Sequence, residues 1–206
     1  DNDGAVSMLN IESCFRHAFE NGAWVINCSW TLEEGSLGFW TPINEIIKKC
    51  STEGREGLGI IVCCSAGNEG NEISNAKNLA NNEYTLTISS SNSKDEFSSY
   101  SNYGNCIFLC APSDGNSGAN IVSANGENEY YFNFGGTSAA CALSSGIISF
   151  LLSLNPRLKR EQVKEILKNT ARKIPSSDYD SNGHSPKFGY GCINTLEAAR
   201  EIIRTQ

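Results

Sequence analysis

Two short segments of this sequence hold residues suited to meeting a developing negative charge. The first is Gly135-Gly136-Thr137-Ser138, which opens the long apolar stretch 137–154, TSAACALSSGIISFLLSL. A serine in the first turn of a helix sits where unpaired backbone N–H groups and the positive end of the helix dipole converge. That setting stabilises negative charge close to its hydroxyl, and the two glycines let another backbone approach. The same residues also suit an ordinary cap, because Thr or Ser commonly opens a helix. The second segment is Ser65-Ala66-Gly67-Asn68-Glu69-Gly70, directly after the apolar run 58–64, LGIIVCC. In open parallel sheets, ligands bind beyond the carboxyl ends of the strands. An amide at Asn68 is placed there to donate to an oxyanion. An Asn-containing turn is the plain alternative.

The elements that must position these residues follow from hydrophobic spacing. Residues 7–20 place Leu9, Ile11, Cys14, Phe15, Ala18 and Phe19 at helical intervals, and Gly22 stops the run. Residues 23–30 (AWVINCSW) form a short buried strand, and 42–51 form a helix with Pro42 near its start. The run 58–64 is a strand covered on both faces, with Cys63 and Cys64 pointing to opposite sides. Two more strands fall at 84–90 and 106–111, and 121–124 with 129–134 make an antiparallel pair around Asn125-Gly126. The stretch 137–154 is apolar nearly all round and is expected to be buried. Two helices close the chain. One covers 159–170 with Val163, Ile166 and Leu167 inside, and the other covers 195–204 with Leu196, Ala199 and Ile203 inside.

Helices alternating with apolar strands over the first 110 residues predict an α/β fold: a mostly parallel sheet with helices on both faces. The 206 residues suffice for one domain, and no repeat or linker divides them.

Composition narrows the function classes. A net charge of −7 without a Lys/Arg cluster excludes a duplex-binding surface, so no nucleic-acid partner is expected. No apolar run reaches the roughly 20 residues of a membrane span, so no membrane partner is expected either. There is no G-x-G-x-x-G after a strand and no P-loop, which argues against a nucleotide-binding fold. The nine cysteines lie mostly in apolar contexts and lack paired C-x2-C spacing. They read as reduced, buried thiols with no metal role, which favours a reducing, cytoplasmic setting. Glu69, Glu72, Glu83 and Asp114, in or beside polar loops, read as solvated rather than as cation ligands.

Taken together, several segments resemble the subtilisin-like serine proteases, the subtilases. SAGNEG resembles their oxyanion-asparagine motif, GGTSAACALSSG their nucleophile motif G-T-S-M-A-x-P-x-x-x-G, and WVINCSW their substrate-flanking strand V-I-N-M-S-L. EFSSYSNYG, CIFLCAP, EQVKEILKNTA and FGYGCINTLEAA follow in the family's order, so the resemblance runs from about residue 5 to 200. It implies a serine endopeptidase acting through an acyl-enzyme. Ser138 would be the nucleophile, and Asn68 with the Ser138 N–H would hold the oxyanion. The backbone of Ser29, Trp30 and Thr31 would pair with an extended peptide or protein substrate as an added strand. Ser65, Ala66 and Gly67 would line the pocket for the side chain before the scissile bond.

A serine needs a base, and subtilases supply Asp and then His earlier in sequence than Ser. Of the two histidines, His17 lies in the first helix without an H-G-T pattern, and His184 lies in the loop 181–187 after the nucleophile. Asp1 and Asp3 match no D-[ST]-G strand end. Residues 1–206 are therefore expected to be a partial catalytic domain, missing the family's N-terminal strands and inactive alone. Its expected partner is that missing segment or a complementing chain. Two alternatives are one piece of a two-chain enzyme and a catalytically inactive peptide-binding or structural domain. No cofactor is expected, and the family's strong calcium site is implied to lie in the missing portion. Ala139 and Ala142 stand where the family has Met and Pro, and Thr31 and Leu32 where it has glycines. These departures point away from broad degradative specificity and toward a processing-type protease or the inactive domain. A lone fragment is expected to expose a sheet edge and apolar helix faces.

Overall fold

The computed structural model describes residues 8–30, 40–74, 78–114, 120–175 and 178–205. Helix α1 (Met8–Glu20) leads into strand β1 (Val25–Cys28), helix α2 (Trp40–Glu53) and strand β2 (Ile61–Ser65). Strands β3 (Thr85–Ser91) and β4 (Ile107–Pro112) follow, then the hairpin β5 (Ile121–Ala124) and β6 (Tyr130–Phe134). Helices α3 (Gly136–Leu154), α4 (Arg160–Thr170) and α5 (Thr195–Arg204) complete the order.

The main sheet runs β1-β2-β3-β4 and every pairing in it is parallel, whereas β5 and β6 pair antiparallel. Cys28 registers with Cys64, and Ser65 with Ile88, so the carboxyl ends of the strands lie level. The alternation of Cys63 and Cys64 comes out as predicted. Cys63 packs with Leu86, Ile148 and Leu151 on one side of the sheet, and Cys64 with Ile43, Ile47 and Leu79 on the other. The second side is covered by α1 and α2, the first by α3, α4 and α5. Helices thus lie on both faces, but they do not alternate through the first 110 residues as expected. Among the described residues, only the β1–β2 crossover is an α-helix; β2 and β3 are joined through a 3-10 turn, Leu79–Asn81.

Two expectations about helix faces need correction. α3 is not buried all round: Thr137, Cys141, Ser144, Ile148 and Leu152 face the core, while Leu143 and Phe150 are exposed. Its small Ser and Ala positions carry no polar signal that marks the open side. By length and composition α3 also meets the requirement for a bilayer span, but it packs on all four strands and α5 as the central helix. In α5 the buried residues are Ala198 and Ile202, and Leu196 and Ile203 face outward. Two apolar stripes with helical spacing compete there, and docking against α3 and α4 selects the one with the small Ala198.

β1 is an edge strand, with no partner beyond β2 among the described residues. Trp24 and Trp30, which flank it, are exposed, as are Tyr130, Tyr131 and Phe132 on the hairpin. Among the described residues, β1 therefore has an unpaired edge, and apolar side chains are exposed beside it, on the hairpin and on α3.

Candidate active site

The carboxyl ends of β1 and β2 meet the amino end of α3. Ser29, just past β1, and Ser138, in the first turn of α3, are joined by two hydrogen bonds. The Ser138 hydroxyl donates to the Ser29 carbonyl at 3.1 Å, and the Ser29 hydroxyl donates to the Ser138 carbonyl at 3.0 Å. Asn27 Nδ2 donates to Ser29 Oγ at 2.9 Å, and Ser145 Oγ to Asn27 Oδ1 at 3.0 Å, which fastens β1 to α3. Ser138 is half-buried.

Thr137 is wholly buried and connects the second segment to the same helix end. Its Oγ1 accepts from the Gly67 N–H at 3.1 Å and donates to Asn68 Oδ1 at 2.8 Å. The Thr137 N–H also donates to Asn68 Oδ1, at 2.9 Å. Two donors on one oxygen fix which way the amide faces. Both acceptor positions of Oδ1 are used, and the amide of the exposed Asn68 lies against Gly136, where a Cβ would stand 3.3 Å from Nδ2. Gly136 has φ of +75°, a left-handed conformation that suits glycine at this junction.

Ser65 and Ala66 are buried beneath the strand ends, as is Gly67, and Trp30 is exposed. Thr31 lies outside the described residues, as does Leu32. The structure thus brings Ser29, Gly67, Asn68 and Ser138 together around Thr137.

Asp114 is not the solvated loop residue the sequence suggested. Its Oδ1 accepts from the Gly136 N–H at 2.6 Å and from the Tyr100 hydroxyl, with Ser113 Oγ 3.3 Å away. Ser113 Oγ donates to the Gly136 carbonyl at 2.8 Å. Burial works against ionisation of Asp114, but the Tyr100 hydroxyl and the Gly136 N–H outweigh it and hold the carboxyl below its usual range. The carboxylate caps the positive end of α3. Sequence spacing gave Asp114, Thr137, Tyr100 and Asn102 no part in supporting the site, because each acts through contacts made only in three dimensions.

Beneath the site, Cys28 and Cys141 are buried, and burial first, then neighbouring thiols, pushes both well up. They stay neutral and form an apolar floor. Neither histidine approaches Ser138. His17 contacts Asn21 at the end of α1, before β1 begins, and His184 Nε2 lies 2.7 Å from the Ile107 carbonyl at the start of β4. Both positions are at the opposite end of the sheet. Among the described residues, no group of three or more His, Cys, Asp or Glu is placed to hold a metal ion.

The carboxyl ends of a parallel sheet thus converge on a serine at a helix N-terminus and on an asparagine amide held by Thr137. The chain belongs to the subtilase (peptidase S8) family, whose profile matches residues 1–191. It is 29% identical over 227 aligned positions to the calcium-dependent protease of Trichormus variabilis, covering 93% of this chain and 34% of that protein. It is 30% identical to kexin of Candida albicans, covering 81% of this chain and 19% of the relative. Among solved structures, a lanthipeptide protease superposes with a TM-score of 0.79 at 18% identity, covering 97% of this chain and 68% of that one. The serine protease of Aeromonas sobria superposes with 0.81 at 17% identity, covering 100% and 48%. The chain spans about a third or less of the length of the curated relatives named here.

Proposed function

We propose that residues 1–206 form the nucleophile-bearing part of a serine endopeptidase domain, completed by a segment that supplies an Asp and a His. Ser138 Oγ attacks the peptide carbonyl as the His takes its proton, and an acyl-enzyme forms as the amine leaves. Asn68 Nδ2 and the Ser138 N–H hold the oxyanion. The backbone at Ser29, Trp30 and Thr31 receives the substrate as an added strand, with Ser65, Ala66 and Gly67 beside the pocket.

The observation that carries this reading is the orientation of the Asn68 amide by Thr137 at the helix end that bears Ser138. The edge of β1, unpaired among the described residues, the exposed Trp24 and Trp30 and the open face of α3 support a docking position for the completing segment. The relatives, a calcium-dependent protease and kexin, support proteolysis as the activity. One of them is named calcium-dependent, which supports placing a calcium site in the completing segment. All nine cysteines are free and seven are buried, which supports the cytoplasm as the working compartment.

The test compares three preparations on a fluorogenic peptide library. The isolated chain should show no turnover. The complete polypeptide should cleave peptides, and Ser138→Ala in it should abolish cleavage. An inactive complete polypeptide that still binds extended peptides would instead favour a binding domain. The bond from Ser138 Oγ to the Ser29 carbonyl is the feature that suits that second reading.

A further inference from the structure

The turn that carries Asn68 is held on one side by Thr137 and on the other by a residue from the β3–β4 connection. Asn102 is buried, at 9% exposure, and every hydrogen-bonding position of its side-chain amide is occupied. Its Oδ1 accepts from the N–H of Glu69 at 3.2 Å and of Asn71 at 2.9 Å. Its Nδ2 donates to the Ala66 carbonyl at 3.1 Å and to Glu69 Oε2 at 2.6 Å. The Asn102 N–H adds a bond to the Gly67 carbonyl at 3.0 Å. Five bonds therefore reach the backbone or side chains of residues 66, 67, 69 and 71, on both sides of Asn68, and none reaches Asn68 itself. At Gly67, with φ of +101°, a Cβ would meet Asn102 Nδ2 at 2.4 Å, so the amide lies directly against the turn.

We propose that Asn102 is a positioning residue that templates the 66–71 turn and so aims the Asn68 donor at the oxyanion. This rests on the reading of Asn68 as an oxyanion donor. An amide alone meets the need: two donors and two acceptor lone pairs in one plane match two N–H groups, a carbonyl and a carboxylate. Alanine removes all four side-chain bonds. Aspartate keeps the acceptor half but faces the Glu69 carboxylate with like charge. A displaced turn leaves Asn68 attached to Thr137 but without a fixed approach to the reacting carbonyl, and a misplacement of about 1 Å can cost about 10²-fold in rate.

The test is a double-mutant cycle in the complete polypeptide, with kcat and KM measured separately. Asn102→Ala should lower kcat by about 10- to 100-fold with a smaller change in KM. In an Asn68→Ala background the same change should lower kcat by less than about threefold, because its route to the reaction is already gone. An equal loss in both backgrounds overturns the proposal. Asn102→Asp, nearly isosteric, serves where the alanine variant fails to fold, with the same expectation. In the complete polypeptide, Asn102→Ala should speed hydrogen exchange at the Glu69 and Asn71 amides and leave the Thr137 amide protected; unchanged exchange overturns the proposal without touching the role of Ser138. Loss of rate on Asn68→Ala but not on Asn102→Ala or Asn102→Asp removes this inference alone. A complete polypeptide with no turnover removes it together with the functional reading.

Discussion

Ser138 and Ser29 exchange hydrogen bonds between side chain and main chain, hydroxyl to carbonyl in both directions, at 3.1 and 3.0 Å. The candidate nucleophile's proton is directed at a main-chain oxygen, which cannot act as a base. The pair also ties the edge strand β1 to the helix that carries the candidate nucleophile. Ser29→Ala removes one of the two bonds and the acceptor for Asn27 Nδ2. It should destabilise the chain by about 1 kcal/mol, lowering the melting temperature by about 2–4 °C, measurable by calorimetry.

Asn68→Ala should lower kcat of the complete polypeptide by about 10²–10³ with little change in KM, the loss known for removing the corresponding donor in subtilisin. Steady-state kinetics on one peptide substrate checks it. A loss confined to KM would assign Asn68 to substrate binding rather than to the oxyanion.

Thr137→Val keeps the shape of a fully buried side chain but deletes its hydroxyl. The Gly67 N–H loses its acceptor and Asn68 Oδ1 one of its two donors. The expected cost is about 1–3 kcal/mol, read from urea unfolding. Thr137→Ser retains both bonds and should lose clearly less.

Asp114 makes the helix cap sensitive to acid. Its folded-state carboxyl titrates below the unfolded value of about 3.9, so its contribution is present above about pH 5. The contribution is lost as pH falls through the lowered folded value. Asp114→Asn keeps an acceptor for the Gly136 N–H and removes the titration. The stability gap between wild type and this variant should therefore narrow from pH 6 to pH 3. A gap that stays constant across that range would show that Asp114 contributes nothing through its charge.

The cysteines should divide by exposure when alkylated under native conditions. Cys14 is exposed and Cys106 half-buried, whereas the other seven are buried. Among the buried thiols, burial pushes Cys63 up to about 12 and Cys64 to about 11, which also suppresses the reactive thiolate. Iodoacetamide at pH 8 should label Cys14 first and Cys106 slowly, with the rest modified only after unfolding. Mass spectrometry of the digest reads this directly.

The sequence by itself determined the family and the strand runs, and it singled out Ser138 and Asn68 as candidates. Motifs are local, and a continuous apolar run such as 58–64 needs cover on both faces wherever it sits. Helix existence was equally legible, because periodicity is a property of neighbours in sequence. The buried face of α5 was not: Leu196–Ile203 and Ala198–Ile202 have equally helical spacing, and only contact with α3 and α4 separates them. Nor was the support of the site. Thr137 read as a cap, Asp114 as a solvated acid and Asn102 as one residue of a motif without a role. Each gained its function from partners 22 to 70 residues away in sequence. Tertiary structure decided those roles because a hydrogen bond depends on where two groups meet, and sequence spacing fixes that only within a helix turn or along a strand.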